Sequence, residues 1–205
     1  MSDVLNDYRI IRKLGVGSFA DTFLAESIRS NGLYFIKILK KERAFPQENS
    51  SKDITEMKFL KAAEHPFVIQ YIEDFPYPIR YLEQHCIVLE YADGQDLRKK
   101  LASLKNQVTE DVLLTWVTLI CLALAYVHAK GLLHRNINPD NILIVGEQQI
   151  AKLGGFGTIS NIYSSDKTVG TWQYSAPERF TQDYQDEADI WSLGVVLNES
   201  HIKIL

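Results

Sequence analysis

His134-Arg135-Asn136-Ile137-Asn138-Pro139-Asp140-Asn141 is the stretch that decides how this 205-residue chain reads. It holds three asparagines, at 136, 138 and 141, whose neutral amides donate and accept hydrogen bonds but cannot act as a base. Upstream, a helical pattern runs from Glu110 to His128, capped by Thr109 and opened by two acids that complement the helix dipole. Downstream, the apolar strands Ile142 to Val145 and Ile150 to Leu153 flank the turn Gly146-Glu147-Gln148-Gln149. An irregular Ser/Thr-rich loop then spans Gly157 to Ser175, ahead of a helix around Asp189 to Leu197.

The first 90 residues carry a different pattern. Tyr8 to Leu14, Asp21 to Ser27, Leu33 to Leu39, Ile69 to Phe75 and His85 to Leu89 are rich in β-branched and aromatic residues and read as strands. One helix interrupts them: Ser50 is its candidate N-cap, and Ile54, Met57, Leu60 and Lys61 follow at helical spacing until His65-Pro66 stops the run. Beyond Glu90, Asp96 to Leu104 reads as a further helix. The expected fold class is α+β: a small antiparallel β lobe with one helix over residues 1–90, then a mainly α-helical lobe over residues 91–205. The boundary falls in Glu90 to Gly94.

Apolar residues make up 46% and charged residues 23%, as in ordinary globular chains, and a net charge of -4 gives no reason to expect nucleic acid or an anionic membrane as partner. The start, MSDVLNDYRI, has no basic region followed by an apolar run, so a cytoplasmic location is expected. Val112 to His128 is uncharged but shorter than the roughly 20 residues of a membrane span, and reads as a buried helix. Cys86 and Cys121 are too few and too far apart for a zinc site or a disulfide framework and read as two buried reduced thiols.

Further motifs fall in a definite order: Leu14-Gly15-Val16-Gly17-Ser18-Phe19, Lys37 after Tyr34-Phe35-Ile36, Glu56 in the helix, His134-Arg135 before Asn141, Phe156-Gly157, Ala176-Pro177-Glu178 and Asp189-Ile190-Trp191-Ser192. Together they resemble the protein kinase signature set. Ile120-Cys121-Leu122-Ala123-Leu124, Leu133-His134-Arg135 and Lys152-Leu153-Gly154 narrow the resemblance to the NIMA-related serine/threonine kinases.

The resemblance implies a two-lobe kinase fold and a site for ATP and magnesium. By that match Lys37 holds the α- and β-phosphates and Glu56 orients it, whereas without it the two would read as an ordinary surface ion pair. Gly15, Gly17, Thr22, Phe35, Glu90, Asp96 and Leu143 fall at nucleotide-binding positions, and Asn141 at that of a second-metal ligand. Asp96 reads equally well as an N-cap.

The departures from the family pattern fall where the chemistry is. Asn136 stands in place of the catalytic Asp, Asn138 in place of the Lys two residues on, and Gly155 in place of the magnesium-binding Asp. The nearest carboxylates in sequence, Glu147 and Asp166, are several residues away, and Asp140 is expected to point elsewhere. Ala20 replaces the third glycine, Thr22 replaces the Val over adenine, and Phe35 replaces a small Ala. Phe35 either fills adenine space or turns into the core. ATP and magnesium binding are therefore expected to be weak or absent.

The expected function is that of a catalytically inactive pseudokinase acting as regulator or scaffold on a protein partner, such as an active kinase. The alternative is an atypical, slow serine/threonine kinase that transfers the ATP γ-phosphate to a protein hydroxyl. Leu60, Tyr71, His134 and Phe156 match the apolar positions that stack through both kinase lobes, and Asp189 the anchor of the catalytic-loop backbone. Arg135 matches the receiver of an activation-loop phosphate, with Ser164, Ser165 and Thr168 as candidate acceptors. The family pattern continues for several helices past Leu205, so an open apolar surface is expected around Val195, Val196 and Ile204.

Overall fold

The computed structural model describes residues 4–17, 20–40, 49–79, 82–104, 108–161, 170–180 and 185–204. The chain divides into two units: Met1–Ala63 with Gln70–Tyr91, and Glu64–Ile69 with Ala92–Leu205.

The first unit is a six-stranded antiparallel sheet with one helix. Its strands β1 (Val4–Leu5), β2 (Tyr8–Val16), β3 (Ala20–Ser27), β4 (Leu33–Leu39), β5 (Tyr71–Ile79) and β6 (Leu82–Glu90) lie in the order β1-β2-β3-β4-β6-β5, and α1 spans Asn49–Ala62. Alternate residues of a strand point to opposite faces. Ile36 and Ile38 of β4 therefore pack with Tyr8, Phe23, Ala25, Cys86 and Val88 in one buried cluster, while Phe35 and Lys37 belong to the other face.

Several expected bounds shift here: β2 runs to Val16 rather than Leu14, and β6 starts at Leu82 rather than His85. The strand expected over Ile69 to Phe75 starts at Tyr71 and continues through Pro76 and Pro78 to Ile79. Proline cannot donate to a sheet ladder, but β5 is an edge strand with one side unpaired. Helix α1 starts at Asn49, which places Ser50 inside its first turn rather than at the cap.

The second unit is mainly helical: α2 (Leu97–Leu104), α3 (Glu110–His128) and α4 (Glu187–Ile204), with the short pairs β7 (Leu132–Leu133) with β10 (Ser160–Asn161) and β8 (Ile142–Val145) with β9 (Ile150–Leu153). Short 3-10 turns cover Phe156–Thr158, Trp172–Tyr174 and Pro177–Phe180. Residues 64–69 join this unit because Leu153 N–H donates to Phe67 O at 2.8 Å and Ile69 N–H to Leu153 O at 2.9 Å. His65 also stacks on Tyr126 with ring centroids 4.9 Å apart.

Thr109 caps α3, its side chain accepting from Val112 N–H at 3.4 Å. At 19 residues α3 is long and apolar enough to span a membrane by length and composition. Its Leu113, Trp116, Ile120, Ala123, Leu124 and Val127 are nonetheless buried, on a helix that packs on β9 and α4; Cys121, expected to be buried like Cys86, falls between these positions and is exposed. Helix α4 runs past its expected end, and Val196 is buried rather than open. Helical periodicity puts Ser192, Val196 and Ser200 on one inner face and leaves Ile190, Trp191 and Ile202 exposed. Ile204's side chain lies outside the described residues.

Candidate functional site

In the first unit, β4 carries Lys37 between Thr22 of β3 and Ile87 of β6. Its ammonium donates to Glu56 Oε2 at 2.6 Å and Oε1 at 2.8 Å. Glu56 is 3% exposed, so the bidentate contact is what allows a carboxylate to be buried there. The two residues are thus a buried pair linking helix to sheet, not an ordinary surface pair. Phe35 is cross-strand to Leu24 and Leu89 on the same face as Lys37, and is only partly buried. Phe35 lies on the face opposite Ile36 and Ile38, beside the buried Leu24 and Leu89.

The glycine-rich hairpin is closed on itself. Gly17 N–H donates to Ala20 O at 2.8 Å, and Lys40 Nζ donates to Gly17 O at 2.9 Å. Lys40 and Lys13 also flank Asp21, at 2.7 Å and 2.8 Å, and hold its carboxyl below the usual range. A β-carbon on Gly15 would come 3.1 Å from Thr22 Oγ1, so the glycine lets the two strands approach closely. Ser18 and Phe19 lie outside the described residues. Glu90 closes β6, its side chain accepting from Gln70 N–H at 3.1 Å.

In the second unit, Asp189 at the start of α4 is 1% exposed and receives His134 N–H and Arg135 N–H, each at 2.8 Å, with His128 Nε2 at 2.9 Å. Two backbone donors on one buried carboxylate fix where the loop departs. The His134 ring lies edge-on to Phe156 with centroids 4.9 Å apart. Arg135 is buried with φ 65, and its Nε donates to Thr158 O at 2.8 Å. Ser164, Ser165, Asp166 and Thr168 lie outside the described residues.

The loop's amides bond to one another. Asn138 Nδ2 donates to Asn136 Oδ1 at 2.9 Å and to Asn136 O at 3.1 Å; Thr171 Oγ1 donates to Asn136 Oδ1 at 2.9 Å; Asn141 Nδ2 donates to Asn136 O at 2.8 Å. Asp140 points away, its two oxygens 2.9 Å and 3.1 Å from Arg98 Nε and Nη2. Gly155 has φ 76, a left-handed conformation, and a β-carbon there would fall on the side-chain amide of Asn141. Asp96 caps α2: its Oδ1 accepts from Lys99 N–H at 2.9 Å and its Oδ2 pairs with Lys99 Nζ at 2.6 Å. Both carboxylate oxygens are engaged there. Leu143 packs against Gly154, where a β-carbon would approach its Cδ1 to 2.7 Å.

One network escaped the sequence reading. Arg98 reaches Glu199 Oε1 at 3.1 Å and Tyr174 OH at 2.9 Å, and Tyr174 OH donates to Glu199 Oε2 at 2.5 Å. It binds α2, the loop, the Trp172–Tyr174 turn and α4 together, and its contacts with Asp140 and Tyr174 keep the guanidinium firmly protonated.

The positions that would hold magnesium do not fit a hard cation, which prefers carboxylate oxygen. Asn141 offers one amide, Gly155 offers no side chain, and the one carboxylate of the loop is committed to Arg98. The arrangement can hold an oriented lysine and a fixed loop backbone.

A β sheet with a lysine–glutamate pair, and a helical unit whose buried aspartate holds a His-Arg loop, define a protein kinase domain. The protein kinase domain family matches over residues 8–204, and the chain belongs to that family. Serine/threonine-protein kinase Nek5 of Homo sapiens is 32% identical over 201 residues, covering 95% of this chain and 28% of its own length. Serine/threonine-protein kinase Nek1 of Mus musculus is 32% identical over 204 residues, 95% of this chain and 16% of its own. RAC serine/threonine-protein kinase of Drosophila melanogaster is 31% identical over 200 residues, 95% and 32%. The chain therefore spans about a third or less of the length of these relatives.

Proposed function

We propose that this chain is a pseudokinase module, a kinase framework that binds a protein partner as regulator or scaffold without transferring phosphate. The observation that carries this reading is the state of positions 136, 141 and 155. Asn136 cannot take up a proton, and the amide of Asn141 occupies the space that a side chain at position 155 would need. Losing a general base typically costs about two to four orders of magnitude in rate. Without the metal ligand as well, the triphosphate has no carboxylate-held ion to neutralise its developing charge.

The lysine–glutamate pair favours a second reading, a slow serine/threonine kinase that binds ATP, since that geometry is the one that holds phosphates. Thermal-shift titration with ATP, with and without magnesium, separates the two. The pseudokinase reading expects no magnesium-dependent shift. A magnesium-dependent stabilisation that is lost on Lys37→Arg would support the slow kinase instead.

A further inference from the structure

The Asn138 amide is oriented by two backbone groups. Asp140 N–H donates to its Oδ1 at 3.0 Å, and its Nδ2 donates to the Asn136 carbonyl at 3.1 Å. That Nδ2 also stands 2.9 Å from the side chain of Asn136, so the Asn136 atom facing it is the acceptor, Oδ1. Thr171 Oγ1 donates to the same oxygen at 2.9 Å. Both lone-pair directions of Oδ1 are then in use, and the Nδ2 of this half-buried side chain has no hydrogen-bond acceptor among the described residues.

Hydrogen-bond polarity at this position is thereby reversed. A carboxylate here would accept a proton from an incoming hydroxyl; Asn136 donates instead. Positions 138 and 141 are amides and 155 is glycine, so none of the three adds negative charge, and the carboxylates of Asp140 and Glu199 are both held by Arg98. Hydrogen bonds to ionised acceptors are roughly twice as strong as neutral ones.

We propose that Asn136 receives an anionic side-chain oxygen of a protein partner, a carboxylate or a phosphoryl oxygen, where a kinase substrate would bring its hydroxyl. This rests on the interaction-module reading and names the partner chemistry of its loop.

Three peptide pools with matched random flanks and serine, glutamate or phosphoserine fixed at the centre test it, titrated against the full chain by fluorescence polarisation. One or both anionic pools bind about five- to tenfold tighter than the serine pool, and comparing the two identifies the source of the oxygen. Asn136→Asp removes that preference at an unchanged melting temperature, because aspartate still accepts from Asn138 and Thr171. Asn136→Ala, which deletes the donor without adding charge, brings all three pools to serine-like affinity. Equal binding of the pools, no binding by any, or a preference that survives both substitutions overturns the proposal. The titration does not read turnover, so a phosphoryl-transfer signal would sink the pseudokinase reading and leave this result standing on its own.

Discussion

A β-carbon on Gly155 would lie 2.6 Å from Nδ2 of Asn141 and closer still to Cγ and Oδ1 of the same amide, so the two residues compete for one volume. Gly155 also sits at φ 76, where a side chain costs roughly 1–2 kcal/mol on its own. Gly155→Ala is expected to destabilise the chain by about 2 kcal/mol or more in urea unfolding. Asn141→Ala removes the clashing atoms, so the double variant should be less destabilised than the sum of the two singles. Simple additivity would show that the shared volume does not matter.

Asp189 carries the loop on two backbone donors. Asp189→Ala leaves the N–H groups of His134 and Arg135 buried without their acceptor. A loss of about 3–5 kcal/mol is expected in chemical denaturation, whereas a change below about 1 kcal/mol would mean that the loop is held elsewhere.

The local signals explain how much of this was legible. Helix α3, β4, β8 and β9 run between the residues that capping, alternation and turn chemistry mark. Strand β5 does not: it runs four residues past Phe75, through Pro76 and Pro78, which its edge placement tolerates. Ile69 pairs through its N–H with Leu153, 84 positions later, a contact that no local pattern announces. At the site, the residue types at 136, 138 and 155 were readable, but the direction of the amide bonds and the overlap of Asn141 with position 155 were not. Arg98 gave no signal at all: its partners lie 42, 76 and 101 positions away.

Lys37 and Lys13 make a controlled comparison. Lys37 pairs with a carboxylate that is 4% exposed, while the Lys13 side chain is 42% exposed. Lys37→Ala leaves Glu56 buried and uncompensated and should cost about 3–5 kcal/mol, against about 0–1 kcal/mol for Lys13→Ala. Equal costs would place Glu56 in contact with solvent.

His65 gives a pH signature. Burial under the Tyr126 stack lowers its pKa, so the fold favours the neutral ring. Its contribution is complete above the unfolded value of about 6.5 and is lost as pH falls below it. Between pH 7.5 and 5, the wild-type chain should therefore lose more stability than His65→Phe in matched urea titrations. Parallel profiles would remove His65 as the cause.

Asp74 acts at lower pH. Burial alone would raise its carboxyl, but hydrogen bonds from Lys61, Tyr71 and His85 outweigh it and bring the pKa to about 2. Its stabilisation is present above the unfolded value of about 4 and fades as pH falls toward 2. Asp74→Asn should cost about 2 kcal/mol at pH 7 and progressively less in acid. A cost that is constant down to pH 2 would contradict the assignment.

The most direct measurement is transfer of labelled γ-phosphate from ATP to a mixed serine/threonine peptide substrate, with magnesium or manganese, by the wild-type chain and Lys37→Arg. A neutral side chain at 136 in place of a base and a bare backbone at 155 in place of a metal ligand predict no incorporation above the peptide-only control for either protein. Metal-dependent incorporation by the wild-type chain that disappears with Lys37→Arg would contradict the account.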